Sequence, residues 1–316
     1  MGVKRVLAVV LSLVLLAGCT PQRADDGKTH ILCTTYPVYL FTTAVTQGAG
    51  GLEVELLVNQ QTSCLHDYTL TVEDMKAIDR ADIIIVNGAG LEEFLADALA
   101  QKDVPVIDCS EGIKLLPTLE HAGHDGHDHE EEFDPHYWMD PRRAAAALQT
   151  IADGLSGLDS RHSRLYQANA LIADLHDLGD MAQDADIAQV MTARVTGGYL
   201  SLSDVCASTD LITFHDGFQY FADAFGLNLL EAIEEEEGAE ASAKELEEII
   251  SLVEDHQIPA IFVEKNGSRR SADVIARETG CQVYELDLIM SGEGAGMEPY
   301  IRAMEQNLAT VREALQ

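Results

Sequence analysis

Basic residues are scarce in this chain. Its 316 residues hold 20 Lys and Arg against 54 Asp and Glu, a formal net charge of −34. Such a surface repels phosphate backbones and anionic headgroups, which excludes nucleic acid and anionic lipid as electrostatic partners. The same field draws divalent cations, weakly once salt screens it. Cysteine is sparse too: beyond Cys19 there are Cys33, Cys64, Cys109, Cys206 and Cys281. An odd, scattered set in so long a chain is no disulfide framework. Cys33 and Cys109 lie in strand-like text and are expected to be small buried apolar groups. Past Leu16 no apolar run approaches the roughly 20 residues of a membrane-spanning helix. The helical His-Glu-x-x-His motif is missing, and so is any Ser or Cys nucleophile motif. A zinc-dependent hydrolase is therefore not expected, and the chain is not read as an enzyme.

The N-terminus carries an address. Lys4 and Arg5 precede an apolar run from Val6 to Leu16, too short to span a bilayer, and Leu16-Ala17-Gly18-Cys19 follows. This text resembles a bacterial lipobox, which predicts a cleaved signal over 1–18, lipidation at Cys19 and a flexible tether over 19–29. The body is then expected to be a lipid-anchored protein of the cell membrane, on its extracytoplasmic face.

From residue 30 onward short apolar runs alternate with amphipathic stretches. Strands are expected over 30–35, 52–58, 82–86 and 104–107, with helices over 38–47, 71–80 and 91–100 between them. The same rhythm returns with strands over 211–214, 228–233, 260–263 and 282–286, and helices over 218–225, 241–256, 268–279 and from Met297 onward. Continuous apolar strands separated by helices predict an α/β protein, its mostly parallel sheets flanked by helices. Residues 159–186 hold apolar positions at near-helical spacing with no Pro, a span of about 40 Å at 1.5 Å per residue. The expected organisation is an N-terminal lobe over 30–158, a linker helix over 159–187 and a C-terminal lobe over 188–316. No period is legible over 187–208.

Three histidines stand roughly seventy to eighty residues apart, far too widely for a zinc finger. His66 sits in Ser63-Cys64-Leu65-His66-Asp67-Tyr68, His136 in Asp134-Pro135-His136-Tyr137-Trp138-Met139-Asp140-Pro141, and His215 in Thr213-Phe214-His215-Asp216-Gly217-Phe218. Each has an acid and an aromatic close by, as outer-shell groups that orient an imidazole would be. Ligands in open α/β sheets bind beyond the carboxyl ends of strands. His215, Glu264 and Asp287 each follow an expected strand. The pattern predicts one Zn2+ in a crevice between the lobes, held by His66, His136, His215 and Asp287, with Glu264 as alternate fourth ligand or outer-shell group. Asp67, Asp216 and Tyr68 are candidates to orient these ligands or to serve ordinary capping or solvated roles. A shell filled by protein binds and does not catalyse. The tract 121–132, with His121, His124, His127 and His129 among acids and glycines, is a secondary weak metal-collecting loop.

These contexts, together with Asn87-Gly88, Ser110-Glu111-Gly112-Ile113, Phe262-Val263-Glu264 and Glu285-Leu286-Asp287, resemble the zinc/manganese ABC-transporter solute-binding lipoproteins. The resemblance runs from about residue 30 to the C-terminus. It implies two α/β lobes bridged by one long helix, and a monomeric receptor that delivers metal to an ABC permease and its ATPase. Manganese members tend to carry Glu at the position of His215, and zinc members often carry a His-rich acidic loop, so the resemblance implies the zinc type. A manganese or iron receptor, or a surface adhesin, are its alternatives. Leu288 follows Asp287 where the family usually has Pro.

Overall fold

A computed structural model of the chain describes residues 26–59, 65, 68–119, 133–175, 202–233, 241–265 and 267–316. Two four-stranded sheets form the frame, and every strand pair is parallel. The first joins β1 (Thr29–Cys33), β2 (Leu52–Leu56), β3 (Ile83–Val86) and β4 (Val106–Asp108) in the order β2-β1-β3-β4. The second repeats that order as β6-β5-β7-β8, from β5 (Asp210–Thr213), β6 (Asn228–Ala232), β7 (Ala260–Glu264) and β8 (Gln282–Leu286). Parallel pairing requires crossovers, and the helices between strands supply them. In each sheet the chain reverses direction of travel between the first strand and the third. That switch point opens a crevice at the strands' carboxyl ends.

Local signals explain the boundaries. Helix α1 (Tyr36–Val45) begins with Pro37 in its first turn, where a missing N–H does no harm. Helix α2 (Val72–Arg80) starts at a capping box between Thr71 and Asp74. The stretch 91–100, expected as one helix, is a 3-10 turn at Glu93–Leu95 followed by the short α3 (Ala96–Leu99). Helix α4 (Pro141–Leu158), which sequence reasoning left unassigned, is capped by Asp140 and has Pro141 at its first position. Helix α5 (Ser163–Leu175) begins four residues later than expected. Asp159 accepts hydrogen bonds from the Arg161 amide and from His162 Nδ1, which holds residues 159–162 in a turn. Its described part lies against α4 and α1, and the remainder of the expected linker is outside the described residues. In the second half stand α6 (Gln219–Phe225), α7 (Ala243–His256), α8 (Arg270–Thr279) and α9 (Glu298–Ala314). A second capping box, Ser242 with Glu245, starts α7.

The apolar interior is two clusters. The larger runs from Ile31 on β1 through Trp138 and α4 to Phe221 on α6 and Leu308 on α9, so it spans both sheets. The smaller, around Phe214, Ile249, Val263 and Ile275, fills the outer face of the second sheet. Cys33 and Cys109 are free and fully buried, as expected of small apolar side chains.

Candidate metal centre

The segment Asp134–Asp140 is the heart of the site, and hydrogen bonds hold it from both sides. On the first-sheet side Asn87, just past β3, donates from Nδ2 to Pro135 O at 3.1 Å and accepts the Tyr137 hydroxyl on its carbonyl at 2.8 Å. From the other half, the Tyr220 hydroxyl donates to Asp134 O (2.8 Å), and the Tyr300 hydroxyl to Trp138 O (2.7 Å). Trp138 Nε1 donates to Leu288 O at 3.0 Å. Burial pushes the Tyr220 phenol up to about 12, and those of Tyr137 and Tyr300 well above their ordinary value, so all three keep the protons they donate.

Within this segment His136 is fully buried. Asp134, buried as well, takes both the His136 amide (2.8 Å) and ring Nδ1 (2.7 Å) on its Oδ1. A carboxylate on Nδ1 fixes the proton there and makes Nε2 the ring nitrogen that can ligate.

His215 arrives from the other half. It is the second residue after β5, in extended conformation, and its carbonyl accepts the Thr213 hydroxyl at 2.7 Å. Its Nε2 lies 3.4 Å from His136 Nε2, with the rings edge to face at 88°. Two nitrogens bound at about 2.0–2.1 Å to a tetrahedral ion stand about 3.3–3.4 Å apart, so this spacing fits a shared zinc. Asp216 Oδ1 lies 3.6 Å and Glu264 Oε1 3.9 Å from His215 Nε2. His136, His215 and Asp216 place their ligand atoms within 4.8 Å of one another. His215 follows β5 and Glu264 ends β7, so both flank the second sheet's switch point.

Asp287 follows β8 as expected, but its carboxylate is engaged elsewhere. Lys265 Nζ donates to Oδ2 and the Ile289 amide to Oδ1, each at 2.8 Å. The Asn307 amide clamps its backbone, accepting from Asp287 N (2.8 Å) and donating to Asp287 O (2.7 Å). Ile289 is left-handed with φ 64°, an unusual conformation for a β-branched residue. His66 and Cys64 lie outside the described residues, as do Cys19 and the loop histidines His121, His124, His127 and His129. Tyr68, a candidate either to orient a ligand or to serve an ordinary capping role, donates to Asp74 of the α2 capping box. The sequence offered Asp216 as an orienting, capping or solvated residue and not as a ligand, and it gave no signal for Lys265 and Asn307. Nothing in a single sequence marks a lysine or an asparagine as the partner of a distant aspartate.

A model of the family described as zinc-uptake complex component A, periplasmic (ZnuA), matches residues 31–314. The chain belongs to that family. Among ZnuA-family relatives, the zinc-binding lipoprotein AdcA of Streptococcus pneumoniae is 30% identical over 321 residues, 97% of this chain and 60% of that protein. The chain thus spans about 60% of the length of that relative. The manganese-binding lipoprotein MntA of Halalkalibacterium halodurans is 27% identical over 250 residues, 78% of this chain and 75% of that protein. Among solved structures, the Zn(II)-bound ZnuA-like domain of S. pneumoniae AdcA matches with a TM-score of 0.67 and 28% identity, covering 92% of this chain and 99% of that one. The two-sheet parallel α/β architecture is therefore the fold of the ZnuA family.

Proposed function

We propose that this protein is an extracytoplasmic zinc receptor that captures one Zn2+ and delivers it to an ABC-type permease and its ATPase. The observation that carries the reading is the 3.4 Å approach of His136 Nε2, on the Asp134–Asp140 segment, to His215 Nε2, just past β5 of the second sheet. Asp134 holds the His136 ring with its Nε2 toward the partner. His66 is the third nitrogen ligand. The fourth is Asp287, once it leaves Lys265, or Glu264, which is buried with Oε1 3.9 Å from His215 Nε2. Three imidazoles and a carboxylate leave no open position for a reacting group, so the zinc is cargo and no turnover is expected. The same reading places the chain on the membrane through a lipidated Cys19, as a monomer. A lobe over 30–158 and a lobe over 188–316 are joined through residues 159–187.

Hydrogen bonds that cross between the halves favour small movements over wide opening. Besides those on the Asp134–Asp140 segment, the Tyr36 hydroxyl donates to Glu293 O and the Gly296 amide to Thr43 Oγ1, both at 2.8 Å. The change on binding is then concentrated in the loops that carry His66 and Asp287.

A second reading, manganese, has its own support in the carboxylates of Asp216 and Glu264 near His215 and in the manganese-binding relative. Manganese stands at the weak end of the divalent series and prefers oxygen, so a nitrogen-rich site favours zinc. Titration of metal-stripped protein decides between them. One tight zinc equivalent that a large excess of manganese does not displace is expected. Displacement at comparable concentrations would overturn the zinc reading.

A further inference from the structure

The first sheet's switch point holds no metal-site histidine among the described residues. Between the carboxyl ends of β1 and β3 sits a buried carboxylate, Glu92, on the turn that precedes the Glu93–Leu95 3-10 helix. Three donors converge on it. The Thr34 hydroxyl and the Asn87 amide both reach Oε1 at 2.6 Å, and the Gly88 amide reaches Oε2 at 3.0 Å. Gly88 is left-handed, φ 80°, and a Cβ there would lie 1.9 Å from Asp108 Oδ1. Only glycine lets this backbone press against Asp108 while its N–H points at Glu92.

Burial pushes the Glu92 carboxyl up to about 7 in spite of the three donors. A carboxyl group buried at such a desolvation cost calls for a reason, since a hydrophobic residue would fill the space without that penalty. The reason lies one residue further on. Asn87, fixed by Glu92 at its amide, is the residue that grips Pro135 and Tyr137, the two sequence neighbours of His136. Asp134 sets the orientation of the imidazole ring, and Asn87 holds its backbone from the first-sheet side, opposite Tyr220 and Tyr300.

We propose that Glu92 is the positioning residue of the metal centre, acting through Asn87 to set where His136 stands relative to His215. A carboxylate suits the task because it accepts at both oxygens, and only donors among the groups bonded to it face it. Glutamine of the same shape turns an NH2 toward at least one of those donors and releases it. The proposal rests on His136 being a ligand, so its test carries that control.

The experiment uses the full, metal-stripped chain, zinc as the probe and a chromophoric chelator as competitor. Glu92→Gln, Asn87→Ala, the double variant and His136→Ala are compared. Trp138 is the only tryptophan of the chain and its ring centroid lies 5.2 Å from that of His136, so its emission reports on the segment directly. The expected result is a roughly tenfold weaker zinc affinity in each of the first two variants, the scale of an outer-shell loss. Emission should shift in both, and the double variant should be no weaker than Asn87→Ala alone, because both changes break one path. Wild-type affinity and emission in Glu92→Gln, with His136→Ala impaired, would overturn the proposal. So would losses that multiply in the double variant. If His136→Ala itself binds normally, the ligand assignment fails instead. Tyr137→Phe, which removes one hydroxyl from Asn87 O, serves if the Glu92 variant does not fold: a several-fold loss supports the Asn87 path and wild-type affinity overturns it.

Discussion

Gly217→Ala tests the site without deleting a single ligand. A Cβ at Gly217 would lie 2.7 and 3.0 Å from the two methyls of Leu288 and 3.1 Å from His215 Cδ2. Carbon atoms pack at about 3.5–4.0 Å, so the new methyl is too close to all three. Its φ lies outside the left-handed region, which makes the effect steric and not conformational. Both neighbours are buried: Leu288 follows Asp287 and gives its carbonyl to Trp138, and His215 is itself a proposed ligand. The metal-free protein can relax by letting the His215 ring and Leu288 slide apart. Binding zinc pulls the ring back to its ligating position and restores the clash. Overpacking of this kind costs about 1–3 kcal/mol. At about 1.4 kcal/mol per factor of ten, zinc affinity should fall roughly tenfold to a hundredfold. Competitive zinc titration measures the loss, and chemical denaturation checks that the fold survives. Gly280→Ala is the control: it is left-handed, φ 80°, with nothing within 4 Å, so it should lower stability and leave affinity alone. Wild-type zinc binding in folded Gly217→Ala would refute the argument.

Four further outcomes are expected. Asp134→Asn removes the carboxylate from His136 Nδ1 and should weaken zinc by about 10–100-fold; His162→Ala, whose ring pairs with Asp159, should change nothing in the same titration. Acid should release the zinc, because imidazole with a reference pKa of about 6.5 must be deprotonated to ligate; full retention near pH 4, read by equilibrium dialysis, would exclude histidine ligation. Glu92 should shape stability against pH. Its folded pKa, raised to about 7 from 4.5, means that the native state binds its proton more tightly, so this contribution is present below 4.5 and lost as pH rises through about 7. Relative to Glu92→Gln, the wild type should lose about 3 kcal/mol across that window in urea titrations; parallel curves would show that the carboxyl is not so perturbed. Deleting residues 121–132 should remove weak zinc equivalents and spare the tight one, counted by titration.

Strand text was the most legible part of this chain. Strands β3 and β7 are buried throughout and their residues 83–86 and 260–263 read as continuous apolar runs, and β8 ends just before Asp287 as expected. The helix expected over 71–80 is found at Val72–Arg80, where Thr71 and Asp74 close a capping box. Helix α4 escaped because its run of alanines carries little apolar contrast, although Asp140-Pro141 announces its start. The turn at 159–162 depends on side-chain hydrogen bonds from Asp159 that compete with a helix, a choice that periodicity does not reveal. The pairing of His136 with His215 was expected from their contexts. The Lys265 contact with Asp287 and the Glu92–Asn87 path join residues distant in sequence or hidden in a turn, and only the folded chain brings them together.

The large core described above has a consequence for how the molecule must assemble. Tyr300, Ile301, Met304, Leu308 and Val311 of α9 are buried in the same cluster as Ile31 of β1, and the Tyr300 ring meets Phe41 of α1 edge to face at 5.4 Å. The Leu315 carbonyl then accepts the amides of Ala207 and Ser208. Helix α1 therefore cannot finish burying its apolar face until residues near 300–315 are in place. Folding from one end to the other, sheet by sheet, would leave a half-covered layer waiting for its last helix. Contacts of such long sequence separation slow folding and keep sticky surface open meanwhile. Hydrogen exchange should accordingly find β1, α1 and α9 opening together as one cooperative unit, while α7 and α8, packed on the smaller cluster, open on their own.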